Sequence, residues 1–377
     1  MAVSAKGVRR VGFHDCYGGG QVYVDNGFAY IGHIHSPSGT SIVDVRDPKN
    51  PKEVAYYEMP LGTHSHKARA VNGILVTNHE VDPNPAGGPA APPSDFKGGL
   101  GIYDVSNPLK PRKLLDWQTH GHGVHRYDFD GRYVYCSPTV EGYRGNIVMI
   151  LDLKNPEKPE EVGRWWEPGQ WIAGGETPTW KGADHRCHHP LRSGNRLYTS
   201  YWQGGFHILN IDDMSKPKRV SGLDWSPPFA CPTHSCVRIP FDIFGRQFAI
   251  VADEDVQRPE TALPAFMWMI DITDEEHPVP VGTYQVEGLD HGNHANNSGC
   301  HQPVEKIRGT QVPFAWFAQG LRIIDISHPH TPKEVAHYVP EPAPGAKRCQ
   351  SNDVYEDDRG LIYLIDRIRG LEILERT

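Results

Sequence analysis

One short unit recurs along the whole chain, and this repetition restricts the fold more than any other feature of the sequence. Each copy has an apolar run that closes on an acidic or amide residue, a polar turn with proline, and a second run in which apolar and polar residues alternate. The six complete copies begin at TSIVDV, LGIYDV, IVMILDL, FHILNI, MWMIDI and LRIIDI. The closing residues are Asp44, Asp104, Asp152, Asn210, Asp271 and Asp325. Repetition of this kind is typical of folds in which each unit packs against its neighbours.

Another apolar run precedes each copy, and the stretch before that run supplies a further strand. The preceding runs are FAYIG, ILVTN, YVYCS, LYTSY, FAIVA, FAWFA and LIYLI. Most follow a glycine or a loop, as a hairpin turn requires. The unit is then a four-stranded antiparallel meander of about fifty to sixty residues, within the range of propeller blades. We therefore predict an all-β fold, a single seven-bladed β-propeller domain over residues 1–377.

The seventh copy is truncated, because LEILERT ends where its turn and last strand should begin. The N-terminal residues GVRRVGF have the pattern of the missing outer strand. We predict that this strand pairs with the last blade and closes the ring, which removes exposed sheet edges. The alternative is an open array of small β-domains, which a truncated last repeat and a spare first strand disfavour.

The runs SIVDV, MILDL and RIIDI resemble the LVIVD-repeat family of β-propellers over essentially the whole length. This resemblance implies the architecture but no single activity. The stretch LYTSYWQGGFHILNIDDMSKPKRV is similar, more weakly, to the selenium-binding, methanethiol-oxidase-type propellers. That second resemblance implies copper and thiol oxidation.

Composition excludes several classes of partner. The formal net charge is −8 and no Lys/Arg run occurs, which argues against nucleic acid and anionic membranes. No signal peptide and no long apolar run is evident, so we expect a cytoplasmic protein with a small-molecule substrate. The seven cysteines are then expected to be reduced thiols.

Histidines recur at one position of the repeat, which we place at the start of each innermost strand. The position is occupied by His14, His64, His122, His185, His234, His301 and Gln350. Innermost strands line the channel of a propeller, so these side chains should form a ring near one mouth. Neutral imidazole is a common metal ligand. We predict a divalent metal ion bound by three or four of His64, His122, His185, His234 and His301, with zinc first and iron, manganese or copper as alternatives. His14 and Gln350, at the seam, are assigned to substrate binding.

Ionisable residues at the exits of the second strands are expected at the same mouth. We assign catalytic roles, as general bases or as carboxylates that orient histidines, to His79, Glu80, Asp253 and Glu254. Substrate contacts are assigned to His125, Glu141 and Trp202. For any single carboxylate, a solvated loop position is the alternative.

Two long insertions, residues 81–99 and 163–182, exceed ordinary hairpin lengths and suggest lids. Trp165, Trp166, Trp171 and Trp180 give the second insertion an aromatic wall for an apolar or aromatic substrate. The same loop is equally compatible with a contact between copies of the chain in a homo-oligomer.

Three functions fit these features. The first is a metal-dependent hydrolase, lactonase or lyase that uses a metal-activated water. The second is an iron- or copper-dependent oxidoreductase at the same histidines. The third is a non-enzymatic scaffold in which a fully coordinated metal only links the blades.

Overall fold

Seven antiparallel meanders follow one another along the chain in the computed structural model, which describes residues 2–81, 98–226 and 228–377. The seven sheets form the blades of a propeller, and the predicted all-β, seven-bladed architecture is confirmed. In each blade the first strand of the repeat lies nearest the axis, and in blades 1–5 the last strand of the repeat lies outermost. The prediction for the insertion at residues 81–99 falls almost entirely outside the described residues.

The strands are numbered in chain order. The two N-terminal strands are β1 (Ala2–Lys6) and β2 (Val8–Asp15). Blade 1 contains β3 (Gly19–Asp25), β4 (Phe28–His33), β5 (Ser38–Asp44) and β6 (Lys52–Glu58). Blade 2 contains β7 (Thr63–His64), β8 (Ala68–Val71), β9 (Ile74–Val81), β10 (Gly99–Asp104) and β11 (Arg112–Gln118). Blade 3 contains β12 (Val124–Phe129), β13 (Tyr133–Pro138), β14 (Val148–Asp152) and β15 (Glu160–Trp165).

The remaining blades repeat this order. Blade 4 contains β16 (Arg186–Ser193), β17 (Arg196–Trp202), β18 (Gly205–Asn210) and β19 (Lys218–Leu223). Blade 5 contains β20 (Thr233–Arg238), β21 (Phe248–Asp253), β22 (Met267–Asp271) and β23 (Val279–Tyr284). Blade 6 contains β24 (Gln302–Pro303), β25 (Gln311–Trp316), β26 (Gly320–Asp325) and β27 (Lys333–Pro340). Blade 7 contains β28 (Ser351–Glu356), β29 (Ile362–Asp366) and β30 (Gly370–Arg376).

The N-terminal strand closes the ring as the sequence indicates. Strand β2 pairs antiparallel with β30, from Val8 opposite Arg376 to Asp15 opposite Gly370, and supplies the outer strand that blade 7 lacks. Strand β1 was not predicted from the sequence, and it adds a fifth strand to the outer edge of blade 6 by pairing with β27. Gly7 joins β1 and β2 at a positive φ of 66°, a conformation that glycine adopts without strain.

The acidic or amide residue that ends each third strand stabilises the following turn. Its side-chain oxygen accepts a hydrogen bond from the backbone N–H two residues later, at 2.7–3.1 Å. The six residues are Asp44, Asp104, Asp152, Asn210, Asp271 and Asp325. Asp and Asn favour turns because their short side chains can make this bond. The repeated residue therefore has a structural role in the turn.

The core lies between the blades, because both faces of each central strand are covered. On β13 the side chains of Val134 and Cys136 pack in one hydrophobic cluster, while Tyr135 packs in the next. Side chains that alternate along a strand point to opposite faces, so one strand serves two interfaces. All seven cysteines are buried and unpaired. Neither short helix of the described chain is long or apolar enough to span a membrane.

We expect removal of residues 1–15 to destabilise the protein far more than removal of residues 1–6. The longer truncation leaves β30 as an unpaired edge in blade 7 and opens the ring, whereas the shorter one removes only the added strand of blade 6. Thermal unfolding and gel filtration of the two truncated chains measure the difference. Equal melting temperatures and equally monodisperse profiles would contradict this account of closure.

Candidate functional site

A β-bulge interrupts the innermost strand of most blades near one mouth of the channel. In blade 4 the extra residue is His188, between the pairs that Cys187 and His189 form with β17. Equivalent shifts occur at His234 in blade 5, at Asn352 in blade 7, within residues 125–126 of blade 3 and within residues 20–21 of blade 1. A bulge redirects the side chains beside it, so two consecutive residues of one strand can both face the axis.

The redirected residues stack in two layers. The upper layer contains His66, His125, His188, His234, His301 and Asn352. The residues that follow them are Lys67, Arg126, His189, Ser235, Gln302 and Asp353. Hydrogen bonds between Lys67 and His189 and between Gln302 and Asp353 join four of these residues in a lower layer. Blade 1 contributes Gly20 to the upper layer, and a Cβ added there would lie 2.7 Å from the Cβ of His66. His66 therefore fills the volume that a side chain of blade 1 would need.

Six histidines form a continuous arc, which we call the histidine arc. Its members in order are His64, His66, His125, His188, His234 and His301. Neighbouring ring centroids are 4.1, 4.9, 4.7, 4.4 and 4.2 Å apart along that order. Burial lowers the pKa of His64 to about 3 and holds the pKa values of His66, His188, His234 and His301 well below the usual range. The imidazoles are therefore neutral near pH 7.

Hydrogen bonds fix the tautomer of four of these rings. The Nδ1–H of His64 donates to the carbonyl of Ile34 at 2.9 Å, and that of His188 donates to the carbonyl of His234 at 2.8 Å. His301 makes the same bond to the carbonyl of Asn352. His125 Nδ1 lies 2.7 Å from Glu80 Oε2, an arrangement typical of histidines that bind metals through the other nitrogen. In each of the four, the Nε2 lone pair is left for another partner.

Two of these lone pairs face each other. The Nε2 atoms of His125 and His188 are 2.9 Å apart, and neither carries a proton in the tautomers that their Nδ1 bonds select. Only a shared proton or a cation relieves this contact. Two nitrogens that each lie about 2.0–2.1 Å from one ion, at about 90–110°, are separated by about 2.9–3.4 Å. The spacing therefore fits two ligands of one metal ion.

Further donors flank this pair on both sides. One group of possible ligands contains His64, His66, Glu80 and His125, and the other contains His188, His234 and Glu254. The Nε2 atoms of His66 and His301 have no hydrogen-bond partner among the described residues. The Nε2 of His234 differs, because Arg126 Nη2 donates to it at 3.0 Å.

The two carboxylates of the site differ in their electrostatics. Glu80 is buried, but His125 beside it lowers its pKa to about 2, so Glu80 stays ionised. Burial raises the pKa of Glu254 although Arg367 lies 3.5 Å away. Glu254 Oε1 is also 3.4 Å from His301 Nε2. Glu80 is thus suited to orient His125, and Glu254 is better suited to accept and release a proton.

A cavity of about 720 Å³ opens above the histidine arc. Its lining includes His64, His66, Glu80, His125, Arg126, Arg186, Trp202, Glu254 and Arg367. The volume is that of a typical small-molecule site. Tyr143 also lines the cavity and packs against Trp166 and Trp171, at centroid distances of 5.2 and 6.4 Å. The second insertion therefore supports one wall of the cavity through Tyr143.

The lower layer closes the channel beneath the histidines. Lys67 Nζ lies 3.0 Å from His189 Nε2 and 2.5 Å from Glu305 Oε1. Gln21 bonds Glu305 and Gln302 at 3.3 and 3.4 Å. This network, contributed by blades 1, 2, 4 and 6, separates the upper cavity from a second cavity of about 380 Å³ with different lining residues.

The structure brings several residues singled out from the sequence to the cavity. Glu80, His125, Trp202 and Glu254 line it. Three of the five histidines expected to bind the metal, His64, His234 and His301, belong to the arc. His122 lies at the exposed rim and makes no contact with the arc rings in the described part of the chain.

His185 and His14 occupy other places. His185 bonds Glu167 at 2.9 Å and stacks on Trp180 at 4.6 Å, away from the arc. The inner-strand position expected for His14 is wrong, because β2 is the outer strand of blade 7 and His14 pairs there with Leu371. Glu141 is exposed at the rim and does not line the cavity. Gln350 precedes β28, where its backbone N–H donates to Asp366.

His79 and Asp253 point away from the cavity. His79 neighbours Glu80 on β9, so the two side chains lie on opposite faces, and His79 contacts Thr77 at 3.1 Å and Asp116 at 3.8 Å. Asp253 accepts hydrogen bonds from Trp268, Thr233 and Trp225 at 2.8, 2.9 and 3.3 Å. It lines a separate cavity of only about 80 Å³.

Four residues of the site were not predicted from the sequence: His66, Arg126, Arg186 and His188. His188 lies at the middle of the arc. The available signal was a pair of polar residues that recurs in six blades, at positions 66–67, 125–126, 188–189, 234–235, 301–302 and 352–353, with Gly20 and Gln21 at the equivalent positions of blade 1. Alternation along a regular strand predicts that the two residues of such a pair lie on opposite faces. Because the bulge breaks this alternation, the sequence pattern did not identify the pair as part of one site.

Comparison with known proteins supports the architecture. The chain carries LVIVD repeats at residues 94–117 and 314–339. No curated protein matches it. Among solved structures, the periplasmic gluconolactonase of Pseudomonas aeruginosa is 12% identical with a TM-score of 0.61, covering 90% of this chain and 88% of that one.

Two further solved structures show the same fold. A putative 6-phosphogluconolactonase from Bacteroides uniformis is 10% identical with a TM-score of 0.59, and 85% of each chain is covered. The WD40 β-propeller domain of Doa1 is 10% identical with a TM-score of 0.61, and 98% of each chain is covered. At these identities the similarity concerns the fold alone.

We expect Glu305→Gln to destabilise the protein by roughly 3–5 kcal/mol, because it leaves the ammonium of Lys67 buried beside a neutral group. Lys67 is only 3% exposed and has no other carboxylate within 4 Å among the described residues. Urea unfolding at pH 7.5 measures the loss. Glu157→Gln, which removes an exposed pair with Arg112, is the control and should change little. Equal effects of the two substitutions would contradict the role of the lower layer.

Lowering the pH should destabilise the metal-free protein already at pH values well above those at which carboxylates titrate. In the unfolded chain His64 takes up a proton near pH 6.5, but in the folded chain its pKa is about 3. The stability that this histidine contributes is thus complete above pH 6.5 and is lost as the pH falls towards 3. Between pH 7.5 and 5.5 the loss is about 1.4 kcal/mol for this one group.

Urea unfolding of EDTA-treated protein at both pH values measures this dependence. His64→Gln should reduce the loss by about that amount, since glutamine does not titrate. His277→Gln, at a side chain that is 76% exposed, should leave the loss unchanged. A pH dependence that is the same in His64→Gln as in the unmodified protein would refute the assignment.

Proposed function

We propose that the protein is a metal-dependent hydrolase that acts on a small molecule in the upper cavity, with esters and lactones as the substrate class. The observation that carries this proposal is the convergence of the His125 and His188 Nε2 lone pairs at 2.9 Å, next to a cavity of about 720 Å³. A divalent ion bound there would polarise a carbonyl group and lower the pKa of water. Zinc is our first expectation for this ion, with iron, manganese or copper as alternatives.

The chain's own residues divide the remaining tasks. His125 and His188 would hold the ion, together with His64 or His66 on the side that opens to the cavity. Glu80 orients His125 through the 2.7 Å contact with Nδ1. Glu254, whose pKa burial raises, lies at the cavity wall and would accept a proton and return it to the leaving group.

His234 takes a different role in this proposal. Its Nε2 accepts the hydrogen bond from Arg126, so it serves first to position that guanidinium. The lactonases among the structurally similar propellers are compatible with hydrolysis on this fold, although they are only 10–12% identical to this chain. An oxidoreductase is the second candidate, because a set of neutral imidazoles suits iron and copper as well as zinc.

Metal analysis tests the proposal directly. We expect protein purified without added metal to contain about one equivalent of a divalent ion, and His125→Ala and His188→Ala to lose it. His185→Ala is the matched control, since His185 is also buried and paired with a carboxylate but lies outside the arc. Full metal content in His125→Ala and His188→Ala would contradict the site.

Activity assays then separate the candidate chemistries. Hydrolysis of a panel of lactones and aryl esters should fall at least tenfold on treatment with EDTA and return with the metal found by elemental analysis. Iron or copper, combined with oxygen uptake and no hydrolysis, would favour the oxidoreductase instead. A metal-containing protein without either activity would favour the scaffold.

A further inference from the structure

A buried guanidinium at the base of the cavity lacks partners for most of its N–H groups. Arg126 is only 4% exposed, and Nη2 donates to His234 Nε2 at 3.0 Å. Its Nε and Nη1 have no hydrogen-bond partner among residues 2–81, 98–226 and 228–377. Arginine keeps its charge in proteins, so it cannot escape the cost of burial by losing a proton. An unpaired buried charge is strongly unfavourable, which points to an anionic partner that is not part of the chain.

The carboxylates whose charges act on Arg126 from a distance form ion pairs or hydrogen bonds with other groups. They are Glu254, Asp353 and Glu305. Glu254 lies 3.5 Å from Arg367, Glu305 lies 2.5 Å from Lys67, and Asp353 accepts the backbone N–H of Val22 at 2.9 Å. Because Arg126 lines the upper cavity, an anion bound at the base of that cavity would lie beside its guanidinium.

The walls beside Arg126 indicate the shape of the rest of the ligand. The guanidinium of Arg186 lies 4.6 Å above the ring of Trp202, and both side chains line the cavity. Tyr143 lines the wall contributed by blade 3 and is supported by Trp166 and Trp171. Aromatic faces bind planar apolar groups, and a second arginine favours negative charge.

We propose that the cavity binds a small molecule that carries an oxyanionic group, a carboxylate or a phosphate, on Arg126 and a planar apolar part against Tyr143 and the stacked pair of Arg186 and Trp202. Charge-assisted hydrogen bonds from Arg126 hold the anion beside the histidine arc. Only the description of this molecule as a substrate rests on the proposed function. The anion site itself does not depend on that function.

Calorimetric titration of EDTA-treated protein at constant ionic strength tests the site. Sodium benzoate, sodium acetate and inorganic phosphate are the probes. We expect benzoate to bind more tightly than acetate, because only benzoate reaches the aromatic wall. Tighter binding of phosphate than of benzoate would identify a phosphate as the recognised group, and the reverse order would identify a carboxylate.

Arg126→Gln should weaken binding of the preferred anion by roughly 10- to 100-fold, the range for loss of charge-assisted hydrogen bonds. Arg132→Gln is the control, since it removes an arginine of the same blade that pairs with Asp152 at the exposed surface. Arg126→Lys keeps the charge without the planar fork and should weaken binding less. It remains informative if Arg126→Gln does not fold.

The proposal is overturned if the unmodified protein binds none of the three anions, or if Arg126→Lys and any folded Arg126→Gln bind them as the unmodified protein does. Because the titration uses metal-free protein, its result is independent of the metal analysis. Absence of metal with retained anion binding would refute the proposed hydrolase alone. Metal without anion binding would refute the anion site alone.

Discussion

The β-bulge on the innermost strands is the constraint on which the site depends. A regular strand presents every second side chain to the channel, whereas the bulge turns two consecutive residues towards it. Five blades carry this extra residue, and blade 2 reaches the same result by a break between β7 and β8, where residues 65–67 lie opposite only residues 78–79 of β9. In blades 3, 4 and 5 the bulge thus places a histidine of the arc next to a charged or polar residue, Arg126, His189 or Ser235.

Neutral imidazoles and charged guanidinium groups lie side by side in the upper cavity. Burial and the nearby arginines keep the arc histidines neutral, so their lone pairs are available to a cation. Arg126 and Arg186 remain charged in the same region and need anions. The metal ion and the anion that we propose for this cavity would together suit a ligand in which a polarised group and an anionic group lie close together.

The sequence was sufficient for the architecture because the repeat encodes it directly. Asp104 and its equivalents mark the turn after each third strand, and the truncated last copy together with residues 8–15 reveals how the ring closes. Glu80 and Trp202 could also be placed at the cavity, since they end second strands at the same mouth.

The site required the structure, because a bulge turns towards the channel two neighbouring residues that regular alternation assigns to opposite faces. Counting from the strand start selected His122 and His185, each three residues before the true arc members His125 and His188. Arg126 was overlooked for the same reason, since its neighbour His125 already faced the channel. Hydrogen bonds between blades, such as that from Arg126 to His234, depend on tertiary packing and lie beyond any repeat alignment.

Lys67, Glu305 and Gln21 lie beneath the histidine arc, where their hydrogen bonds join blades 1, 2 and 6. In the described part of the chain this network lies between the upper cavity and the lower one, and the two cavities share no lining residue. A small molecule bound against the histidine arc would therefore enter and leave on the side of the upper mouth.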